Sequence, residues 1–153
     1  MVLHRSFSIL ILAALAGCAA ATPPGATSSV VQALPADGMA RLYLYRTTFS
    51  LGAAGGLIGG AAEKPLAVDG RRVTALGNGG SAYCDLPPGR HRVTDMENGG
   101  ELLVDLTAGQ AAYFRLDTGI NGLTRQGRVA VVDAASGAAE LQGRQPQAIT
   151  CGG

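Results

Sequence analysis

From residue 40 onward, apolar and polar side chains alternate in short runs separated by turn residues. Residues 41–46 (Arg-Leu-Tyr-Leu-Tyr-Arg) put Leu42 and Leu44 on one face of an extended strand and Tyr43 and Tyr45 on the other. Further strands are predicted at residues 65–69, 71–76, 81–86, 90–96, 101–107, 110–117 and 127–133. Asp69-Gly70 is a strong hairpin signal, because both residue types tolerate the positive φ of a two-residue turn. Pro87-Pro88-Gly89, Asn98-Gly99-Gly100 and Ala108-Gly109 punctuate the later runs. Residues 134–143 predict one short helix, with Glu140 and Leu141 near its end. Seven or eight short strands at turn spacing predict an all-β fold, an antiparallel β-sandwich over residues 39–143 followed by a tail, 144–153.

The first 38 residues obey different rules. Arg5 supplies a positive start, and residues 7–16 form an apolar run that fits a signal peptide and is too short to span a bilayer. Leu15-Ala16-Gly17-Cys18 follows at once and resembles the lipobox of bacterial lipoproteins. Small residues suit a peptidase at the scissile bond, and the thiol sits where an acyl-transferring enzyme can reach it. The expectation is a signal peptide over residues 1–17 and a lipidated Cys18 carrying fatty acyl chains such as palmitate. The competing reading is an ordinary signal cleaved after Ala19-Ala20-Ala21, with Cys18 lost. Residue 19 is Ala rather than Asp, and by resemblance to Gram-negative lipoproteins this implies the outer membrane, facing the periplasm. Residues 18–38 then form the lipidated cysteine and a flexible tether rich in Pro, Gly, Ser and Thr, with a reach of about 25 Å.

One internal segment breaks the alternation. Residues 49–62 are apolar, uncharged and glycine-rich, and they include Leu51, Gly55, Gly56, Leu57, Ile58, Gly59 and Gly60. The run is too short to span a membrane. It is read as a loop between the first two strands, and its length makes it a candidate contact with lipid or a partner.

Charge and composition narrow the partners. Removal of Arg5 leaves eleven bases against eleven acids, and Trp is absent. No basic patch calls for nucleic acid, and no aromatic platform exists for stacking bases or sugars. After the signal is removed, His91 is the one remaining histidine, so no multi-histidine metal site can form and neither metal nor cofactor is expected. Cys84 and Cys151 are exported with the chain into an oxidising compartment. They either form a disulfide that pins the C-terminal tail or remain a buried thiol and a loose one.

Three constellations imitate chemistry. Cys84 and His91 flank the Pro-Pro-Gly turn, where a hairpin would bring thiol and imidazole together, but no orienting third group accompanies them. Asp117-Thr118-Gly119 follows an apolar run, as in the aspartic-protease motif, yet Asp, Gly and the nearby Asn121-Gly122 read more simply as a turn. The same stretch partly imitates a calcium loop, but Arg128 stands where the bidentate Glu belongs. Asp95, Glu97 and Glu101 bracket the Asn-Gly-Gly turn, where they could bind a cation weakly, and read more simply as a solvated hairpin tip. Arg90 and Arg92, with Arg71 and Arg72, offer an anionic-glycan or headgroup contact against the plainer reading of a wet strand face.

Residues 40–46, Val68-Asp69-Gly70 with Leu76, residues 83–89 (Tyr-Cys-Asp-Leu-Pro-Pro-Gly), Leu106-Thr107-Ala108-Gly109 and residues 112–115 (Ala-Tyr-Phe-Arg) occur in an order that resembles an uncharacterised bacterial lipoprotein family, the domain of unknown function 2846. The resemblance spans residues 40–141. It implies a β-sandwich on a lipid anchor and supplies no catalytic residues. The functional expectation is a lipid-anchored, non-enzymatic binding or structural module of the cell envelope, meeting another envelope protein, peptidoglycan or lipid. The alternative is a small envelope hydrolase using Cys84/His91 or Asp117.

Overall fold

The computed structural model describes residues 34–48, 62–121 and 124–152. Among these, nine strands and one helix run in the order β1 (Ala40–Arg46), β2 (Lys64–Val68), β3 (Arg71–Leu76), β4 (Ser81–Leu86), β5 (Gly89–Asp95), β6 (Glu101–Leu106), β7 (Ala111–Asn121), β8 (Thr124–Val132), α1 (Ala134–Glu140) and β9 (Gln147–Ala148). They form two sheets, β8-β7-β1-β4-β9 and β3-β2-β5-β6. The inner faces meet in one apolar core, with Leu42, Leu44 and Phe114 from the first sheet against Leu66, Val93 and Val104 from the second. The fold is the β-sandwich that the alternation predicts.

β1 organises the larger sheet. All seven of its residues are buried. Its leucines enter the main core, and Tyr43 and Tyr45 enter a second cluster with Tyr113 and Leu141. α1 covers that second face. Asp133 caps the helix, its Oδ1 accepting the Ser136 N–H at 3.0 Å. Gly137 is buried against Tyr113, and a Cβ built there would lie 2.3 Å from the Tyr113 Cγ. Absence of a side chain at Gly137 is therefore what lets the helix lie on the tyrosines. The helix is shorter than the expected 134–143, ending at Glu140 with Leu141 as its C-cap.

Four features depart from the sequence expectation. β1 pairs with β7 in parallel, Tyr43 opposite Tyr113, and β4 pairs with β9 in parallel, so the larger sheet is mixed. Both pairings join residues distant in sequence, which local alternation cannot specify. Residues 117–119 are not a turn: Asp117, Thr118 and Gly119 continue β7, opposite Arg128, Gly127 and Gln126 of β8. An extended ladder overrides their turn preference and removes the loop that a calcium site would need. β4 and β5 do not form a hairpin; they belong to different sheets, and Pro87-Pro88-Gly89 is a crossover. Finally, β9 is a ninth strand of two residues that no alternation announces.

The Asp69-Gly70 hairpin joins β2 to β3 as expected, with φ of 50° at Asp69 and 81° at Gly70.

Candidate functional site

The most structured surface feature lies along the outer edge of β4. Alternation along β4 sends Ala82, Cys84 and Leu86 into the core and leaves Ser81, Tyr83 and Asp85 on the other face. Arg41 sits directly opposite Asp85 on β1. Its Nε donates to Asp85 Oδ1 at 2.7 Å and its Nη2 to Oδ2 at 3.0 Å, a two-pronged contact that fixes both side chains. The guanidinium carbon lies 4.4 Å from the centre of the Tyr83 ring. The Arg41 hydrogen bond holds the Asp85 carboxyl below the usual carboxylate range. Asp85 Oδ2 also accepts the Ala36 N–H at 3.0 Å, which docks the incoming N-terminal segment at this edge.

Cys84 and Cys151 are joined in a disulfide, with Cα atoms 5.9 Å apart across 67 residues of sequence. The bond draws the C-terminal segment alongside β4, where Ile149 N–H donates to the Tyr83 carbonyl at 2.9 Å. An open groove results, bordered by Met39, Arg41, Tyr83, Pro87, Ile149 and the two cysteines. The free-thiol alternative for Cys84 and Cys151 is thereby corrected.

Cys84 and His91 do not form a thiol–imidazole pair. Cys84 is consumed in the disulfide, and His91 belongs to the other sheet. His91 is a staple instead. Its Nδ1 lies 2.7 Å from Asp69 Oδ2 and its Nε2 lies 2.9 Å from the Pro87 carbonyl oxygen. Both partners are acceptors, so the imidazolium satisfies both contacts while a neutral ring satisfies one. Burial opposes the charge, but the hydrogen bonds to Asp69 and Pro87 outweigh it and raise the His91 pKa above 6.5. For Asp69, burial is likewise outweighed, by the Arg92 N–H and by His91, and its pKa falls below 3.8. A histidine with a raised folded pKa stabilises fully below its unfolded value, and that contribution disappears as pH climbs through the folded value. The Asp69 contribution is present above its unfolded value and disappears as pH falls through its depressed one. The wild-type domain should therefore melt higher at pH 6 than at pH 8, and His91→Gln should flatten that difference in thermal melts. An unchanged pH slope in His91→Gln would remove the staple.

Asp117 lies 2.9 Å from Arg115 Nε, and Arg115 Nη1 donates to Glu140 Oε1 at 2.7 Å. Tyr45 donates its hydroxyl to Glu140 Oε2 at 2.9 Å. Burial, then this contact with Glu140, pushes the Tyr45 phenol upward, so it stays neutral. Asp117 thus belongs to an ion-paired network under α1, an arrangement that holds a carboxylate with a guanidinium rather than with a second carboxyl sharing one proton.

At the Asn98 turn Glu97 and Glu101 are exposed, as a solvated tip requires, but Asp95 is not. Asp95 is fully buried and organises the turn: its Oδ1 accepts the Glu97 N–H at 3.0 Å, and its Oδ2 accepts from Asn98 Nδ2 at 2.7 Å. Glu97 pairs with the buried Lys64. Glu101 pairs with Arg92 at 3.2 Å, and Arg90 pairs with Asp105 at 2.8 Å. Arg71 and Arg72 lie on β3, separated from β5 by β2. These arginines make a ladder of mixed charge, not a converging anion site. Among the described residues, no group of three or more His, Cys, Asp or Glu side chains is placed to hold a metal.

Cys18, the signal segment and the glycine-rich residues 51–60 lie outside the described residues. Among the described residues, no helix is long and apolar enough to cross a membrane. The sequence reading missed Arg41, Asp85 and Asp69 as partners. Their signal, opposite charges at facing positions, appears only once the strand pairing is known. Comparison with known proteins adds no name: no family model, curated protein or solved structure matches this chain.

Proposed function

We propose that this chain is a lipid-anchored β-sandwich of the bacterial cell envelope. It acts as a non-enzymatic binding or structural module, probing its surroundings on a tether of about twenty residues that starts at the lipidated Cys18. The observation that carries this reading is the order of the N-terminal signals: Arg5, the apolar run and Leu15-Ala16-Gly17-Cys18. The Cys84–Cys151 disulfide supports it, because such a bond persists in an oxidising compartment and is rare in the cytosol. The resemblance of its motif order to the domain of unknown function 2846 lipoproteins implies the same address. The partner in this reading is another envelope protein or peptidoglycan, met through an open sheet edge or the glycine-rich loop. Against the hydrolase alternative stand the bonded sulfur of Cys84 and the Arg115-paired Asp117.

Cross-linking in intact cells followed by mass spectrometry tests the reading. Wild-type protein should give adducts with envelope components, and Cys18→Ser should lose most of them as it leaves the membrane fraction. Deletion of residues 51–61 separates the two contacts: loss of the adducts with an unchanged thermal melt assigns the contact to the loop, and retained adducts assign it to a sheet edge. Adducts confined to cytosolic proteins would remove the envelope assignment; adducts unchanged by the deletion would move the interface off the loop.

A further inference from the structure

We propose that residues 147–151 form a redox-released strap: the Cys84–Cys151 disulfide holds them over the outer edge of β4, and a dithiol reductant frees that edge. The inference rests on the envelope reading, which places the bond where dithiol proteins can exchange with it.

The strap is weakly held apart from its sulfur. β9 pairs with β4 only at Ala82↔Gln147 and Tyr83↔Ala148, with one further bond from Ile149 N–H to the Tyr83 carbonyl. Gln147, Ala148, Thr150 and Gly152 are exposed, and Ile149 is half-buried against the core. A few hydrogen bonds, each of small net worth, stand against the conformational entropy of ordering these residues. The covalent tie therefore decides whether the strap stays down. The chain before it is anchored independently. Pro146 is buried, and Arg144 Nη1 donates to the carbonyls of Arg46 at 2.9 Å and Gly79 at 3.2 Å. The hinge falls after Pro146.

The sulfur pair is largely buried, with Cys84 2% and Cys151 7% exposed, so exchange proceeds at the more exposed Cys151, from the groove side. Both cysteines border the open groove beside Arg41 and Pro87, and Gly152 next to Cys151 is exposed. In the exchange, one thiolate of the reductant attacks the Cys151 sulfur and the Cys84 sulfur leaves as a thiolate. The second thiol of the reductant then displaces Cys151 from the mixed disulfide. The reductant ends as a disulfide, having given two electrons, and Cys84 and Cys151 each take up a proton. Tyr83, whose backbone groups face the strap rather than β1, is left on an unpaired edge able to accept an extended segment.

Hydrogen exchange on the full-length protein tests this, with dithiothreitol as the reductant and a labelled synthetic peptide of residues 144–150 as the edge probe. Reduction, or Cys151→Ser without reductant, should speed exchange of the Ile149 and Tyr83 amides at least tenfold. Protection in β1 and β7 should be unchanged. The peptide should bind the reduced protein and Cys151→Ser but not the oxidised protein. Persistent protection of the strap after reduction would overturn the proposal. So would loss of β1 protection together with the strap, or failure of the peptide to bind a freed edge. These measurements on purified protein are independent of cellular address, so a cytosolic location would sink the envelope reading without touching the strap.

Discussion

Gly137→Val should destabilise the domain by about 3 kcal/mol, lowering Tm by on the order of 10 °C. The reason is the 2.3 Å that would separate a new Cβ from the Tyr113 Cγ, far inside contact distance. The ring has nowhere to go. It stacks on Tyr43 with centroids 5.0 Å apart and planes 11° from parallel, and Tyr43 is fully buried. Replacing a helical glycine normally gains helix propensity, at most about 1 kcal/mol, so the clash wins. Relief requires α1 to lift, which would expose Leu141 and strain the Tyr45–Glu140 hydrogen bond. Gly77→Ala is the control, because nothing lies within 4 Å of its added Cβ. Thermal melts of both variants decide the matter: equal Tm values would mean that α1 does not rest on the tyrosine row. Adding Tyr113→Ala to Gly137→Val should cost less than the sum of the two single changes, since the pair shares one contact.

Cys151→Ser should lower stability by about 2–4 kcal/mol, read from the denaturation midpoint. The crosslink spans 67 residues of sequence, and closing so long a loop removes considerable freedom from the unfolded chain. Part of that loss returns when the freed strap regains motion in the folded state, which keeps the expected value below the full loop-closure estimate. The body should remain folded, because the core between the sheets draws on strands β1 to β8, and Cys151 sits at its margin. A variant as stable as the wild type would show that the bond constrains nothing. A variant that fails to fold would show that the tail is integral to the core.

Legibility of the fold from sequence followed the reach of each signal. Strand alternation is local, so Leu42 and Leu44 against Tyr43 and Tyr45 announced β1, and the Asp69-Gly70 turn announced the β2–β3 hairpin. Parallel pairing is not local. Tyr43 meets Tyr113 across seventy residues of sequence, and nothing near either residue encodes the encounter. The two faces of β1 did carry a clue: a strand apolar on both sides must be covered on both, here by the second sheet and by α1. Asp117 and Gly119 misled because turn propensity yields to a partner strand that supplies every ladder bond. Asp95 misled because a carboxylate before Asn-Gly-Gly reads as exposed, whereas it is buried as the hub of the turn. Of the site, the two cysteines were visible as candidates, and the Arg41–Asp85–Tyr83 cluster was not, since it exists only through the β1–β4 register.

The mass of the mature protein reads out the proposed lipid on Cys18. Detergent-extracted protein from a bacterial host with lipoprotein-processing enzymes should begin at Cys18 and carry the added mass of a diacylglycerol and an acyl chain. Cys18→Ser should lose that mass entirely. A chain that starts beyond Cys18, or that retains Met1 with no added mass, would rule out the lipid anchor.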